Sequence, residues 1–148
     1  SNHELGGAMA IEKGHSKLLV TNKATTLSPA FLEAVQKAKG SLFQQFLIVH
    51  KGSPAVFRDQ SKFQRRAIAL TKKGTFKIFE SDKAITFSTF NNDLAALGVG
   101  EALYFDMGAW DEGWYRDATT GRIIIIGLDR SRTDRQSNWL VLKQVRNK

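Results

Sequence analysis

The sequence RRAIALTKKGTFKIFE, residues 65–80, gives the clearest indication of the fold. In residues 75–80 polar and apolar side chains alternate at period two, as they do in a strand with one buried face. Residues 65–71 contain a second apolar run after two arginines. Lys73-Gly74, between the two runs, is typical of a tight hairpin turn. The stretch therefore predicts a β-hairpin.

Two segments outside this hairpin have apolar residues at helical spacing. The first is predicted over residues 28–39, with Ser28 as its N-cap and a proline directly after it. The second is predicted over residues 88–97, with Thr86 or Ser88 as its cap. A glycine follows each segment and ends the helix.

The other apolar runs predict strands, at residues 7–14, 17–21, 41–51, 55–57, 102–105, 122–128 and 139–145. Strands interrupted by two helices predict an α/β protein of the α+β or mixed type, in which both helices pack on a mainly stranded sheet. The second helix lies between two strands, which permits a βαβ crossover. We expect one domain over residues 1–148, because the sequence contains no repeat, linker or low-complexity stretch.

The composition excludes several classes of protein. No apolar stretch approaches the roughly 20 residues of a membrane-spanning helix. There is no cysteine, which excludes disulfides and thiolate metal sites. The three histidines show no metal-binding spacing, and the common nucleotide-binding and hydrolase motifs are missing from the sequence. We therefore expect neither a metal nor another cofactor.

The beginning of the chain, SNHELGG, lacks the basic and apolar regions of a signal peptide. Its first two residues are typical of a cloning remnant, and we expect residues 1–6 to be disordered or derived from a tag. The cellular compartment stays open. If an export signal has been removed, the cell envelope or the extracellular space is expected.

The net charge is +8, from 22 Lys and Arg against 14 Asp and Glu. This charge favours anionic partners, such as phosphates, acidic glycans and nucleic acid. However, the basic residues are scattered in ones and twos, as on an ordinary solvated surface. Nucleic acid is the least favoured partner, because the sequence has no aromatic RNA-binding strand and no basic recognition helix.

The stretch EALYFDMGAWDEGWYRD, residues 101–117, contains the candidate catalytic acids. Asp106 follows a predicted buried strand, at the position where open α/β sheets bind ligands, and burial there would suit it to acid–base chemistry. Alternatively, Asp106 accepts hydrogen bonds from a turn. Asp111 or Glu112 is the candidate second carboxylate of a glycosidase. Both residue types are also common in exposed loops.

Candidate binding residues surround these acids. Arg65 suits a bidentate phosphate contact, or else it pairs with a carboxylate such as Asp106. Three aromatic residues and one amide are candidates for sugar binding: Trp110, Trp114, Tyr115 and Asn138. The aromatic rings could instead close a core or cover a sheet edge, and the amide could end a turn. A shared role for Arg65 and Asp106 requires that both face one solvent-filled hollow.

The order of these segments resembles the phosphodiester glycosidase domain family. Arg65 in RRAIAL is similar to the arginine that opens an RTAIG-like strand in that family. Residues 97–99, LGV, are similar to the end of a family helix, and residues 102–108, ALYFDMG, to the signature strand ALNLDGGGSS. Asn138 matches a late asparagine. Residues 7–14 and 46–49 are similar to an early hairpin and an apolar strand of the family.

The resemblance implies recognition or hydrolysis of a glycosyl phosphodiester, or of a related bacterial envelope glycan such as an exopolysaccharide. It implies that Arg65 holds the phosphate, Asp106 is the acid or base, and Gly108 and the aromatic loop of residues 110–115 contact the sugar. Met107 stands where the family has a glycine, and Ala109 and the two residues after it replace small or hydroxyl-bearing ones. A carbohydrate-binding or structural domain without catalysis therefore stays open as the alternative.

Overall fold

The computed structural model describes residues 6–13, 15–20, 26–107, 111–127, 130–131, 133–136 and 138–143. The chain divides into two compact units, Ser1–Asp106 and Met107–Lys148. In chain order the elements are β1 (Gly6–Glu12), β2 (His15–Val20), α1 (Pro29–Lys37), β3 (Ser41–His50), β4 (Ser53–Pro54), β5 (Arg66–Thr71), β6 (Phe76–Glu80), α2 (Phe87–Ala96), β7 (Val99–Phe105), β8 (Gly113–Arg116) and β9 (Ile123–Ile126), followed by a 3-10 turn at Thr133–Arg135. The fold is α+β and mainly stranded, as predicted.

The first unit contains one sheet, in the order β2-β1-β3-β7-β5-β6, with β4 paired to β3. Every pair of neighbouring strands in it is antiparallel. The predicted hairpin is strands β5 and β6, whose register pairs Arg66 with Glu80. Because β6 and β7 are both antiparallel to β5, they run in the same direction. Helix α2 connects them and crosses over β5, which agrees with the predicted βαβ crossover.

Helix α2 packs on a part of this sheet that carries small side chains. Ala67, Ala69 and Ala102 are fully buried on β5 and β7, and they leave room for the large side chains of the helix. Phe87 and Phe90 fill that room and are 7% and 4% exposed. Burial of one such side chain contributes about 1.5–3 kcal/mol, so this layer stabilises the unit substantially.

Local sequence signals set the bounds of α2. The Thr86 side chain accepts a hydrogen bond from the Thr89 N–H at 3.1 Å, which makes Thr86 the N-cap of the two predicted candidates. After the helix, Gly98 adopts a φ of 81°, a left-handed conformation that favours glycine. Helix α1 begins in the same way, with Ser28 accepting from the Phe31 N–H at 3.2 Å. Within the described residues, no helix is long and apolar enough to cross a membrane.

The second unit contains the two-stranded sheet of β8 and β9. Strand β9 lies within the predicted strand 122–128, whereas β8 was not predicted. Two expectations are wrong. Residues 55–57 do not form a strand, because Val56 projects into solvent and is 90% exposed; the return strand is Ser53–Pro54. Residues 139–143 have no regular structure, although a strand is predicted over residues 139–145.

Candidate functional site

Arg65 lies in the core of the first unit and is 2% exposed. Its guanidinium donates to the backbone oxygens of Ser61 at 2.9 Å and Ile85 at 3.2 Å, and to the Tyr104 hydroxyl at 3.3 Å. The guanidinium carbon also lies 3.8 Å from the centre of the Phe87 ring. Each nitrogen group of the guanidinium therefore already has a protein partner.

The aromatic residues around Arg65 explain its burial. The rings of Phe87 and Tyr104 lie 4.8 Å apart edge to face, and Phe57 stacks on Phe87 at 4.6 Å. A planar cation is stabilised against such ring faces. The neighbouring Arg66 is also buried, but it forms an ion pair with Glu80 on the adjacent strand. Arg65 therefore lies among aromatic rings, whereas Arg66 is paired with a carboxylate.

Asp106 has the opposite environment, because it is exposed at the end of β7. The register of β5 and β7 ends with the pair Arg66–Phe105, one position before Arg65 and Asp106. Burial raises the pKa of the Tyr104 phenol. Arg65 and Asp106 affect the same pKa in opposite directions: the Arg65 hydrogen bond lowers it, and the charge of Asp106 raises it. Since the guanidinium is sealed beneath side chains while the carboxylate meets solvent, the two do not face one open hollow.

The β8–β9 hairpin of the second unit is fixed by its turn. The Asp117 carboxylate accepts the N–H groups of Thr119 and Thr120, both at 2.8 Å. These bonds, first that from Thr120, hold the pKa of Asp117 below its usual value. Arg116 donates to the Gly121 oxygen at 2.9 Å across the same turn. The turn therefore sets the register that pairs Trp114 with Ile125.

One face of this hairpin carries an open, mostly apolar cleft of about 220 Å³. Trp114 and Ile125 line the cleft together with Ile123 and Glu112. Trp114 is 57% exposed, which is unusual for a residue with so much apolar surface. The Thr133 hydroxyl donates to the Glu112 carboxylate and holds it in place. The cleft thus combines a flat aromatic ring with a positioned acceptor.

Arg116 lies on the same face as the cleft, two residues along β8 from Trp114. It pairs with Ile123, one of the residues that line the cleft. Like Trp114 and Ile125, Arg116 is exposed. A cation therefore borders the apolar surface.

The other predicted residues that the structure describes in this unit do not line the cleft. Tyr115 is 50% exposed, but it follows Trp114 in the strand and points to the opposite face. Asp111 is buried at 7% exposure, and Asn138 is exposed in a segment without regular structure. Gly108 and Trp110 lie outside the described residues.

Sequence reasoning did not identify Ile123, Ile125 and Arg116 as members of a site. The available signal was the turn sequence DATTG, residues 117–121, between two runs of β-forming residues. It would have predicted the hairpin, and the alternation of the strands would then have placed these residues beside Trp114. In the described part of the chain, no three His, Asp or Glu residues are grouped as metal ligands would be.

No protein-family model, curated protein or solved structure matches this chain. The resemblance to the phosphodiester glycosidases therefore stays a prediction. Function has to be argued from the chemistry of the side chains that the fold brings together.

Proposed function

We propose that this protein binds an anionic glycan of the cell envelope, with a glycosyl phosphodiester as the expected class. The observation that carries the proposal is the exposed Trp114 ring beside the Glu112 carboxylate in an open cleft. A flat aromatic ring beside a carboxylate suits carbohydrate binding, because the ring can stack on a sugar and the carboxylate can accept its hydroxyls.

The shape and lining of the cleft suit a single sugar ring. The cleft is open, and its volume of about 220 Å³ is below the roughly 300–1,000 Å³ of typical ligand clefts and cavities, so we expect it to hold no more than one sugar ring against its surface. The C–H face of a sugar would pack on Trp114 and Ile125, which already form an apolar pair. A sugar hydroxyl would donate to Glu112, which keeps acceptor capacity beyond its bond with Thr133.

Arg116 supplies the positive charge that an anionic glycan requires. Residues two apart in a strand are about 6.6–6.8 Å apart, a distance that a sugar ring on Trp114 can span with an attached phosphate. A planar guanidinium binds phosphate through two parallel hydrogen bonds better than an ammonium group does. The bond to Gly121 uses one Arg116 nitrogen, and a guanidinium has five N–H donors in all.

The test is a binding titration with a glycosyl phosphodiester and with the corresponding neutral sugar, followed by calorimetry. We expect Trp114→Ala to weaken binding of both ligands at least ~10-fold, which corresponds to ~1.4 kcal/mol. Arg116→Gln should weaken only the phosphodiester. The matched control is Tyr115→Ser, which removes an equally exposed ring from the opposite face of the hairpin.

Two results would contradict the proposal. One is equal binding by the wild type and Trp114→Ala; the other is loss of binding on Tyr115→Ser alone. Steeply salt-dependent binding of DNA or RNA without glycan binding would indicate a nucleic-acid-binding domain instead. Concentration-dependent self-association that Trp114→Ala abolishes would show that a second copy of the chain covers this face.

Hydrolysis of the phosphodiester is the second candidate function. Asp106 is exposed at the end of β7, not buried as the sequence predicted, so this candidate depends only on the access of a substrate to its carboxylate. In this case free sugar accumulates on incubation with a glycosyl phosphodiester, and Asp106→Asn abolishes its release. Turnover by the Asp106→Asn variant would remove this residue from the reaction.

A further inference from the structure

Three polar side chains form a row across neighbouring strands of the first unit. The registers pair Val49 with Ala102 across β3 and β7, so that the next residues, His50 and Glu101, also face each other. His50 is in turn paired with Ser53 across β3 and β4. Glu101, His50 and Ser53 therefore share one face of the sheet. This is the face away from α2, because Ala102, the neighbour of Glu101, packs in the core cluster with that helix.

The first link of this row is a direct contact. His50 Nδ1 lies 2.9 Å from one oxygen of the Glu101 carboxylate and 3.1 Å from the other. The backbone N–H of Lys51 donates to the same carboxylate at 3.0 Å and fixes it. A carboxylate on Nδ1 holds the imidazole with its proton on that nitrogen and leaves Nε2, on the far side of the ring, as the basic atom.

The second link is the short hairpin that carries Ser53. Lys51 and Gly52 form its two-residue turn, and both have left-handed φ values, 49° and 77°, as in a type I′ turn. The Gly52 N–H donates to the Gly100 oxygen at 2.8 Å, which ties the turn to β7. The Ala55 N–H bonds the Ile48 oxygen at 2.9 Å and extends the same register. The position of Ser53 opposite His50 is therefore fixed by backbone bonds.

Directly opposite residues have Cβ atoms about 4.5–5.5 Å apart, so the Ser53 hydroxyl can approach the imidazole by rotation of the serine side chain, while the His50–Glu101 contact is kept. Nucleophile–base contacts are often longer in unliganded proteins than in the reacting complex. Ser53 is exposed and His50 is 42% exposed, so a substrate can reach both. The glutamate is more buried, at 22%, as suits a group that orients the base.

A cation lies next to this row. A β-carbon added to Gly52 would be 3.2 Å from Lys72 Cε and 3.5 Å from its Nζ, so the ammonium group lies against the hairpin turn. The Lys72 backbone is held there by its N–H bond to the Gly98 oxygen at 3.2 Å. A positive charge at this position can stabilise an oxyanion that forms near Ser53.

We propose that Ser53, His50 and Glu101 form a hydrolytic site for esters of small carboxylic acids. His50 Nε2 takes the hydroxyl proton as Ser53 Oγ forms a bond to the acyl carbon. The carbon–oxygen bond to the alcohol then breaks, and the alcohol leaves with the proton from Nε2. Water next attacks the acyl group and gives a proton to Nε2, which returns it to Ser53 Oγ as the carboxylic acid departs. The sum is an ester and water giving an acid and an alcohol.

The test is hydrolysis of p-nitrophenyl acetate, together with labelling by a fluorophosphonate probe and peptide mapping. We expect the label on Ser53 and a fall in rate of ~100-fold or more for Ser53→Ala and for His50→Gln, the lower end of general-base contributions. Glu101→Gln should give a smaller fall and a changed pH profile. The matched control is His15→Gln, because His15 contacts Glu12 at 3.0 Å in a hairpin without an opposing serine.

A second measurement, of thiol reactivity, tests the proposal even if the His50→Gln variant does not fold. The chain has no cysteine, so Ser53→Cys and Ser41→Cys each carry a single thiol, the latter at the exposed start of β3, the strand that ends at His50. We expect the thiol at position 53 to react with iodoacetamide at pH 7 at least ~10-fold faster, because a neighbouring imidazole favours the thiolate. Equal thiol reactivity, no label on Ser53, or unchanged hydrolysis by Ser53→Ala would each overturn the proposal.

Discussion

Replacement of Arg65 by methionine tests whether this arginine stabilises the fold or serves a ligand. Methionine keeps an unbranched apolar stem against Phe87 and removes only the guanidinium. The change leaves the Ser61 oxygen and the Tyr104 hydroxyl without the donor they use now. The Ile85 oxygen still accepts the N–H of Phe63, at 3.2 Å.

The size of the effect follows from these contacts. Each of the two acceptors that lose their donor costs about 1–3 kcal/mol, and the lost cation–π contact with Phe87, at 3.8 Å, costs up to about 2 kcal/mol more. Removal of a buried charge offsets part of this loss. We therefore expect Arg65→Met to lower the free energy of unfolding by about 2–3 kcal/mol.

Equilibrium unfolding in urea, followed by circular dichroism, measures this change. All three tryptophans, at positions 110, 114 and 139, belong to the second unit, whereas α1 and α2 lie in the first. Circular dichroism therefore reports mainly on the unit that contains Arg65, and tryptophan fluorescence on the other. Arg58→Met, at an exposed position in the preceding loop, is the matched control and should change stability by less than about 0.5 kcal/mol.

The opposite outcome would refute the structural role of Arg65. If the guanidinium is retained for a phosphate ligand, its burial without that ligand costs stability, and methionine should leave stability unchanged or raise it. An Arg65→Met variant within about 0.5 kcal/mol of the wild type, or more stable than it, would therefore contradict the reasoning.

Three further predictions follow from local geometry. Thr86→Ala should destabilise the first unit by about 1 kcal/mol in urea unfolding, because α2 loses its N-cap, and Thr86→Ser should retain most of that stability. Gly127→Ala should destabilise the second unit by more than about 1 kcal/mol, measured by tryptophan fluorescence. Gly127 has a φ of 104°, and an added β-carbon would lie 2.2 Å from the backbone oxygen of Asp111. An unchanged unfolding transition would contradict this packing. In a Tyr115→Phe variant the remaining tyrosine, Tyr104, should ionise above pH 10, as measured by absorbance at 295 nm, because burial raises its pKa. The stability that this tyrosine contributes should be complete below pH 10 and lost as the pH rises through the folded-state pKa. Ionisation at or below pH 10 would contradict its burial.

The parts of the fold that the sequence predicts well are those with local signals. The hairpin of β5 and β6 has its alternation and its turn glycine within residues 65–80. Helix α2 has its cap and its terminating glycine at the two ends of one segment. These features depend on neighbours in sequence, so they can be inferred without knowledge of the tertiary structure.

The candidate sites depend on contacts between distant residues, which a single sequence does not reveal. The carboxylate of Glu101 orients His50 from 51 positions along the chain. Arg65 is enclosed by Tyr104, 39 positions away, and no local pattern distinguishes that partner from a ligand phosphate. Strand β8 forms by pairing with β9, and its short sequence GWYR was interpreted as part of a loop.

A comparison of the energetic cost of phosphate binding at Arg65 and at Arg116 favours Arg116 as the phosphate ligand. Arg65 is 2% exposed, so a phosphate could reach it only if side chains around it moved. Exposing Phe87, which is 7% exposed, would alone cost about 1.5–3 kcal/mol in burial. Its stacking contact with Phe57 would add to that cost. All three guanidinium nitrogens of Arg65 already donate to protein oxygens, so hydrogen bonds to a phosphate would replace existing ones and add little. Arg116 is already exposed beside the cleft and requires no such rearrangement, so an anionic glycan should depend on Arg116 and not on Arg65.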